Sequence, residues 1–267
     1  MSDCIVLKFG GAAVAHPESF LKIAKIIAKK KKQSSRLVVV VSAMGETTNN
    51  LLSLAKTVHS SPPKRELDML LSVGERISIS LLAMALNKID LHALSFTGSQ
   101  SGIITNSRHS EASIIDVKPE RIRLCIDAGN IAIVAGFQGV SQKKEITTLG
   151  RGGSDTTAVA LGVALKARIV EFYKDVEGVY NEDPKINEEA RLIPTMTYEE
   201  ALSVIKSENG VLHRRSVILA QKNHLPLKVM SFIPSERETR IGDEGNSESL
   251  TAFFEDEEIR TERKIYQ

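Results

Sequence analysis

The run Leu37-Val38-Val39-Val40-Val41 constrains the fold more than any other five residues of this chain. Continuous β-branched residues suit a strand covered on both faces, the condition of a parallel sheet with helices on either side. Its surroundings form a unit that recurs. Ser42-Ala43-Met44-Gly45 makes a glycine turn after the run, and Thr48 to Val58 then shows helical spacing. Upstream, Ile5-Val6-Leu7 leads into Lys8-Phe9-Gly10-Gly11, followed by a helical pattern from Pro17 to Lys32 with apolar residues at Phe20, Ile23, Ala24 and Ile27. Short apolar runs at Leu91 to Phe96, Ile131 to Ala135, Arg168 to Phe172, Leu225 to Met230 and Leu250 to Phe254 predict further strands. Arg65 to Lys88 reads as one long helix with Gly74 inside it. Strands alternating with helices predict an α/β fold, a mainly parallel sheet sandwiched by helices.

In such a fold, ligands bind where strands end and glycine turns begin. Glycine turns follow four of the predicted strands, at Gly10-Gly11, Met44-Gly45, Thr97-Gly98-Ser99-Gln100 and Gly136-Phe137-Gln138-Gly139, and are expected to share one crevice. Composition narrows what it binds. A net charge of +2 gives no reason to expect a nucleic-acid or membrane partner, and Lys29 to Lys32 suit the C-terminal dipole of the helix they end. Cys4 and Cys125 make neither a disulfide framework nor a zinc cluster, which fits a reducing cytoplasm. No apolar run appears long enough for a membrane span, and a first strand so near Met1 leaves no room for a leader.

The richest chemistry lies in Thr148-Leu149-Gly150-Arg151-Gly152-Gly153-Ser154-Asp155. Glycines allow close backbone approach, helix-start amides present positive partial charge, and a guanidinium matches a two-oxygen anion. The alternative is a plain turn in which Ser154 or Asp155 caps the next helix. Lys8, placed at a strand end before two glycines, suits a point charge over phosphates. Neither a Walker A loop nor a dinucleotide fingerprint is present. Glu75, beside Gly74, is a candidate for a ligand ammonium, with a solvent-facing Glu as the alternative. The segment from Phe172 to Lys185, with Lys174, Asp175, Tyr180 and Lys185, suits a nucleotide. The six histidines show no paired metal spacing, no Ser-His-Asp constellation is evident, and His213 reads as structural.

Taken together, Lys8-Phe9-Gly10-Gly11, Ser42-Ala43-Met44-Gly45, Gly74-Glu75-Arg76, Phe96 to Gln100, Gly136 to Gly139, the arginine loop and Asp175 to Tyr180 resemble the aspartate kinase family, in order and spacing from Met1 to about Phe254. The resemblance implies the amino-acid kinase fold, a three-layer α/β/α sandwich, with residues 1–254 catalytic and 255–267 a charged tail. It implies transfer of the γ-phosphoryl group of ATP to the β-carboxylate of L-aspartate, with Mg²⁺ bridging ATP oxygens, as the first step toward lysine, threonine and methionine. Carried over by position, Lys8 and Asp155 are the expected catalytic pair. Thr48, Glu75, Arg151, Gly152 and Ser154 would form the aspartate pocket, Arg151 taking the α-carboxylate and Glu75 the α-ammonium. Gly10, Gly11, Ser42, Lys174, Asp175, Tyr180, Lys185 and Gly210 would join Lys8 around ATP. No metal ligand from protein side chains is expected.

The departures carry expectations of their own. Ala12-Ala13 stand where the family usually has Thr-Ser, Lys174 where many members have Thr, Glu208 for a glycine and Arg214 for a proline. Loss of two hydroxyls near the phosphates predicts reduced activity, and keeps open a non-catalytic binding subunit of the same fold. A kinase of the same fold for another small acid or a nucleotide is the further alternative. The family's regulatory domains are expected to be absent, leaving either a homodimer or a separate regulatory subunit as partner.

Overall fold

The computed structural model describes residues 3–182, 184, 186–187, 189–205, 211–243 and 252–255. The first half runs β1 (Cys4–Phe9), α1 (Ser19–Lys31), β2 (Arg36–Val41), α2 (Thr47–Val58), α3 (Lys64–Leu71), α4 (Val73–Asn87), β3 (Ala93–Phe96), β4 (Ile103–Thr105), β5 (Ile114–Val117), α5 (Glu120–Asp127) and β6 (Ile131–Ala135). The second half adds β7 (Gln138–Ser141), β8 (Ile146–Thr148), α6 (Gly153–Ala164), β9 (Ile169–Lys174), β10 (Val179–Tyr180), β11 (Leu192–Ile193), β12 (Thr195–Met196), α7 (Tyr198–Val204), α8 (Arg214–Lys222), β13 (Leu227–Ser231) and β14 (Glu238–Ile241).

Eight strands form one sheet in the order β12-β14-β13-β9-β1-β2-β6-β3, parallel throughout except where β13 meets β14. Strand alternation divides the core into two clusters. Ile5, Leu7, Phe9, Val39 and Ile133 face α1 and α4, meeting Ile23, Ile27, Ile79 and Leu82. Val6, Val38, Val40, Val134 and Phe172 face the other way, onto Ala158, Leu161, Ile126 and Val217 of α5, α6 and α8. The three-layer α/β/α sandwich is therefore present. Every residue of α6 from Gly153 to Val163 is buried, because the helix lies between the sheet and α8.

Several expectations are corrected. The long helix from Arg65 to Lys88 is two helices, broken at Ser72. Ser72 Oγ donates to the Met69 carbonyl, and the Ser72 carbonyl accepts from Gln138 Nε2 at 2.8 Å, side interactions that interrupt a uniform ladder. A Cβ on Gly74 would lie 2.8 Å from that of Ala43, so glycine lets the start of α4 press against the turn after β2. Lys64–Asn87 spans 24 residues, with a window of mean hydropathy 1.6, and passes the length and composition test for a membrane span that no stretch was expected to meet. Half of that window is buried, with α4 packed on α1, β3 and β6, as suits a core helix. A four-stranded sheet, β5-β4-β7-β8, and a β10–β11 ribbon add to the sandwich. Residues 252–254 of the expected last strand are outside any strand.

Glu255, expected in a solvated tail, is buried. Arg215 on α8 donates to both of its carboxylate oxygens, and also to the carbonyls of Leu149 at 2.5 Å and Ala112 at 2.7 Å; Ile114 N–H donates to Glu255 at 2.8 Å. One ion pair thus fastens the segment around Glu255 to the loop just before Arg151.

Candidate functional site

The cationic end of the site follows from strand alternation. Lys8 lies on the face of β1 that carries Cys4 and Val6, which looks toward α6. On the neighbouring β9, Lys174 shares a face with Val170 and Phe172, and the register Lys8↔Phe172 leaves Lys174 one step beyond the end of β1. Both lysines therefore reach the first turn of α6 from the C-terminal edge of the sheet. There they meet Asp155. Lys8 Nζ lies 2.6 Å from Oδ1, and Lys174 Nζ lies 3.1 Å from Oδ2. Burial lowers the Lys8 ammonium to a pKa of about 8 against the pull of Asp155, with Lys174 repelling it further. Burial alone would raise the Asp155 carboxyl, but Lys174 and Lys8 outweigh it and hold the group well below the usual carboxylate range.

The arginine loop opens the same helix. Gly152 is the N-cap residue, at φ +67°, and no side chain caps the helix, so neither Ser154 nor Asp155 takes the capping role of the plain-turn alternative. A Cβ on Gly152 would collide with the His213 ring. The amides at the start of α6 consequently face a cavity of about 590 Å³, whose walls include Lys8, Gly11, Ser42, Thr48, Glu75, Arg151, Gly152, Ser154, Asp155 and Lys174. Gly10 is absent from that wall but adjoins the Lys8 ammonium, 3.5 Å from where its Cβ would stand. The turn after β3 does not join the crevice; Gly98 is pressed against the Gln138 carbonyl instead.

Elsewhere on the cavity wall, Glu75 occupies the first turn of α4 and is 3% exposed, which overturns the solvent-facing alternative. Its Oε1 accepts from Ala43 N–H at 3.0 Å, while Oε2 is buried and has no hydrogen-bond partner among the described residues. Burial raises its pKa to about 7, despite stabilising backbone N–H groups. Such a group is poised for a cation. Thr48 on α2 is partly buried and Arg151 exposed at the cavity wall.

Asp175 and Tyr180 line a second cavity of about 320 Å³ with Glu177, Pro184, Ser231 and Ile233 to Ser235. Tyr180 OH donates to Glu177 at 3.0 Å, and Ser235 Oγ donates to the same carboxylate at 2.7 Å. Lys185, Gly210 and the departure Glu208 lie outside the described residues. Ala12 and Ala13 line neither cavity: Ala12 is exposed, and Ala13 packs into the apolar cluster beneath the turn.

Sequence reasoning missed two other wall residues, Asn49 and Ser110, while Phe137 and Thr148 belong to segments it had singled out. His213 both lines the cavity and caps α8, its Nδ1 accepting from Arg215 N–H. Behind the wall, Asp68 is fully buried and accepts from Thr148 Oγ1 at 2.6 Å and Ser110 N–H at 3.0 Å, with His109 Nδ1 at 2.7 Å. A partner set spread over eighty residues leaves no local signal.

An α/β sandwich with a cationic cluster at the start of a buried helix defines a class, and the model of the amino acid kinase family matches residues 3–231. The chain belongs to that family. Within it, the chain is 48% identical over 244 residues to the aspartokinase of Geobacillus stearothermophilus, a match covering 91% of this chain and 60% of that protein. It is 50% identical over 228 residues to the aspartokinase of Mycobacterium bovis, covering 85% and 54%. The crystal structure of aspartate kinase from Synechocystis superposes with a TM-score of 0.82 at 42% identity, over 92% of this chain and 41% of that one. E. coli aspartokinase III in complex with aspartate and ADP gives 0.79 at 25% identity, over 91% and 65%. The chain thus spans a little over half the length of these curated relatives.

Proposed function

We propose that this chain catalyses transfer of the γ-phosphoryl group of ATP to the β-carboxylate of L-aspartate, giving 4-phospho-L-aspartate. The observation that carries the reading is one cavity with a cationic, helix-capped end at Lys8, Asp155 and Lys174 and a buried, unpartnered carboxylate at Glu75. An amino acid fits that polarity. Its α-ammonium meets Glu75, its α-carboxylate meets Arg151 beside Thr48, Gly152 and Ser154, and its β-carboxylate points toward Lys8. ATP lies along Gly10, Gly11, Ser42 and the start of α6, with its nucleoside toward Asp175 and Tyr180; Lys185 and Gly210 complete this assignment by resemblance.

The attacking carboxylate is already ionised at neutral pH, so no general base is needed. Positioning and charge neutralisation are what the protein has to supply. Asp155 orients Lys8, and Lys8 draws the γ-phosphoryl oxygens and the attacking oxygen together. Among the described residues no three His, Cys, Asp or Glu side chains converge as a metal cage. The described side chains offer no cage for a protein-held ion; in this reading Mg²⁺ belongs to the ATP it accompanies, and no step here runs through it. A cytoplasmic setting is part of the proposal, supported by a chain whose two cysteines, Cys4 on β1 and Cys125 on α5, are both buried on different elements.

Incubation with ATP, Mg²⁺ and L-aspartate, with hydroxylamine to trap the acyl phosphate, is expected to give the hydroxamate. Lys8→Ala and Arg151→Ala are expected to abolish it. No product from the parent chain, or equal product with acetylglutamate or uridylate, would overturn the reading.

A further inference from the structure

Asp155 holds two ammonium groups with one carboxylate. Lys8 approaches Oδ1, and Lys174 approaches both oxygens, at 3.1 and 3.4 Å. The trio therefore has a net charge of +1, and its members are largely withdrawn from solvent, the side chains of Lys8, Asp155 and Lys174 being 5%, 7% and 17% exposed. A surplus charge out of water is costly unless an anion meets it. The other charged or titratable groups facing the cavity are Glu75, Arg151 and His213.

The two lysines are not equivalent. Lys8 sits under the glycine turn, close to Gly10. Lys174 is the last residue of β9, and Asp175, the next in the chain, turns into the second cavity. Lys174 lines the first cavity and its chain neighbour Asp175 lines the second, so a nucleotide reaching from one to the other would pass its inner phosphates by Lys174. It is also the position where an ammonium replaces the family's common threonine.

We propose that Lys174 is a second phosphate-binding cation, which exchanges part of its contact with Asp155 for the β-phosphate of ATP and stabilises the departing ADP. The inference rests on the phosphotransfer reading and deepens it. As the β-carboxylate oxygen bonds to the γ-phosphorus, the bond from that phosphorus to the β,γ-bridging oxygen breaks, and its electron pair stays on ADP. Lys174 meets that charge, while Lys8 serves the phosphoryl group in transit; no proton moves. A preorganised donor at developing oxygen charge is worth about 10²-fold or more in rate.

The test compares Lys174→Met and Lys174→Arg in the 267-residue chain, with thermal unfolding as the check on folding and Lys174→Thr as the substitute if the Met variant does not fold. Lys174→Met is expected to lower kcat about 10²-fold, to leave the KM for aspartate within about twofold, and to be partly rescued by Lys174→Arg. The alkaline limb of kcat/KM for ATP, which reports Lys8 in the free enzyme, is expected to move to higher pH once the neighbouring charge is gone. Calorimetry with ADP and AMP reads the same idea without turnover. The parent chain is expected to favour ADP, and Lys174→Met to erase most of that preference. A kcat within threefold of the parent, equal loss in the Met and Arg variants, or an unchanged ADP-to-AMP ratio would overturn the proposal. If the parent binds ATP but does not phosphorylate aspartate, the functional reading fails, and the ADP-to-AMP ratio still decides the role of Lys174. If it binds no nucleotide, both fall.

Discussion

The two ends of the cavity are built on opposite principles. At one end, Lys8, Asp155 and Lys174 are already joined by short ion pairs and fixed by two adjacent strand ends and a buried helix start. At the other, Glu75 is buried with one carboxylate oxygen unpartnered among the described residues, and the exposed Arg151 lines the same cavity. In the proposed reaction the first end is preorganised for charge that develops as the phosphoryl group transfers. The second is incomplete by itself, and on the same proposal the ligand's own ammonium completes it. Preorganisation should therefore govern kcat, and completion should govern KM.

The largest expected effect comes from breaking the joined end. Asp155→Asn leaves two ammoniums side by side with no carboxylate between them, and kcat is expected to fall about 10³-fold. ATP binding is expected to survive, since the cations remain, and calorimetry checks this. A drop confined to KM for aspartate would erase the distinction between the two ends. Next in size, Glu75→Gln keeps the shape but removes the charge offered to the α-ammonium. The KM for aspartate is expected to rise about 10- to 100-fold with kcat changed far less. An equal fall in kcat would mean that the open end also shapes the transition state.

A tenfold effect separates the ends by pH. Because burial raises the Glu75 pKa to about 7, the carboxylate is lost on acidification below neutrality, whereas the free amino acid keeps its charges between about pH 5 and 8. The KM for aspartate is expected to rise about tenfold per unit as pH falls below 7, and to stay flat in Glu75→Gln. At the other end the sign reverses. Lys8 loses its proton as pH rises through about 8, so kcat/KM for ATP declines on the alkaline side.

The joined end was half legible: the arginine loop announces a helix start and the resemblance brought Asp155 to Lys8, but the run read as a strand stopped at Phe172, whereas β9 runs on to Lys174 and so delivers a second ammonium to Asp155. The sandwich was legible because its central strands β1, β2 and β6 are largely buried runs of five or six residues. The sheet of β4, β5, β7 and β8 was not, because strands of three or four residues are too short to show a period. Nor was the break at Ser72, which depends on Gln138 arriving from elsewhere. The burial of Glu75 was only half legible: Gly74 hints at close approach, but Ala43, which it approaches, lies thirty residues upstream. Arg215 and Glu255 are forty residues apart, and only the folded chain makes them partners.

The smallest expected effect concerns the hydroxyls missing from the glycine turn. Reading the family pattern alone, Ala12 and Ala13 predict weakened phosphate handling. In the fold, Ala13 is packed among Val14, Phe20 and Phe9 on the α1 side of the sheet, and Ala12 faces solvent, so neither side chain is aimed into the cavity. What the turn presents there is Gly11, above an ammonium already placed by Asp155. Restoring Thr at 12 is therefore expected to change kcat by less than about threefold, well inside the range of one lost hydrogen bond. Restoring Ser at 13 buries a hydroxyl against apolar neighbours and is expected to cost about 1 kcal/mol of stability, read by denaturant unfolding, with little change in rate. A gain in kcat of tenfold or more from either substitution would show that the joined end is incomplete as it stands, and that completion by hydroxyls, rather than preorganisation by ion pairs, sets its rate.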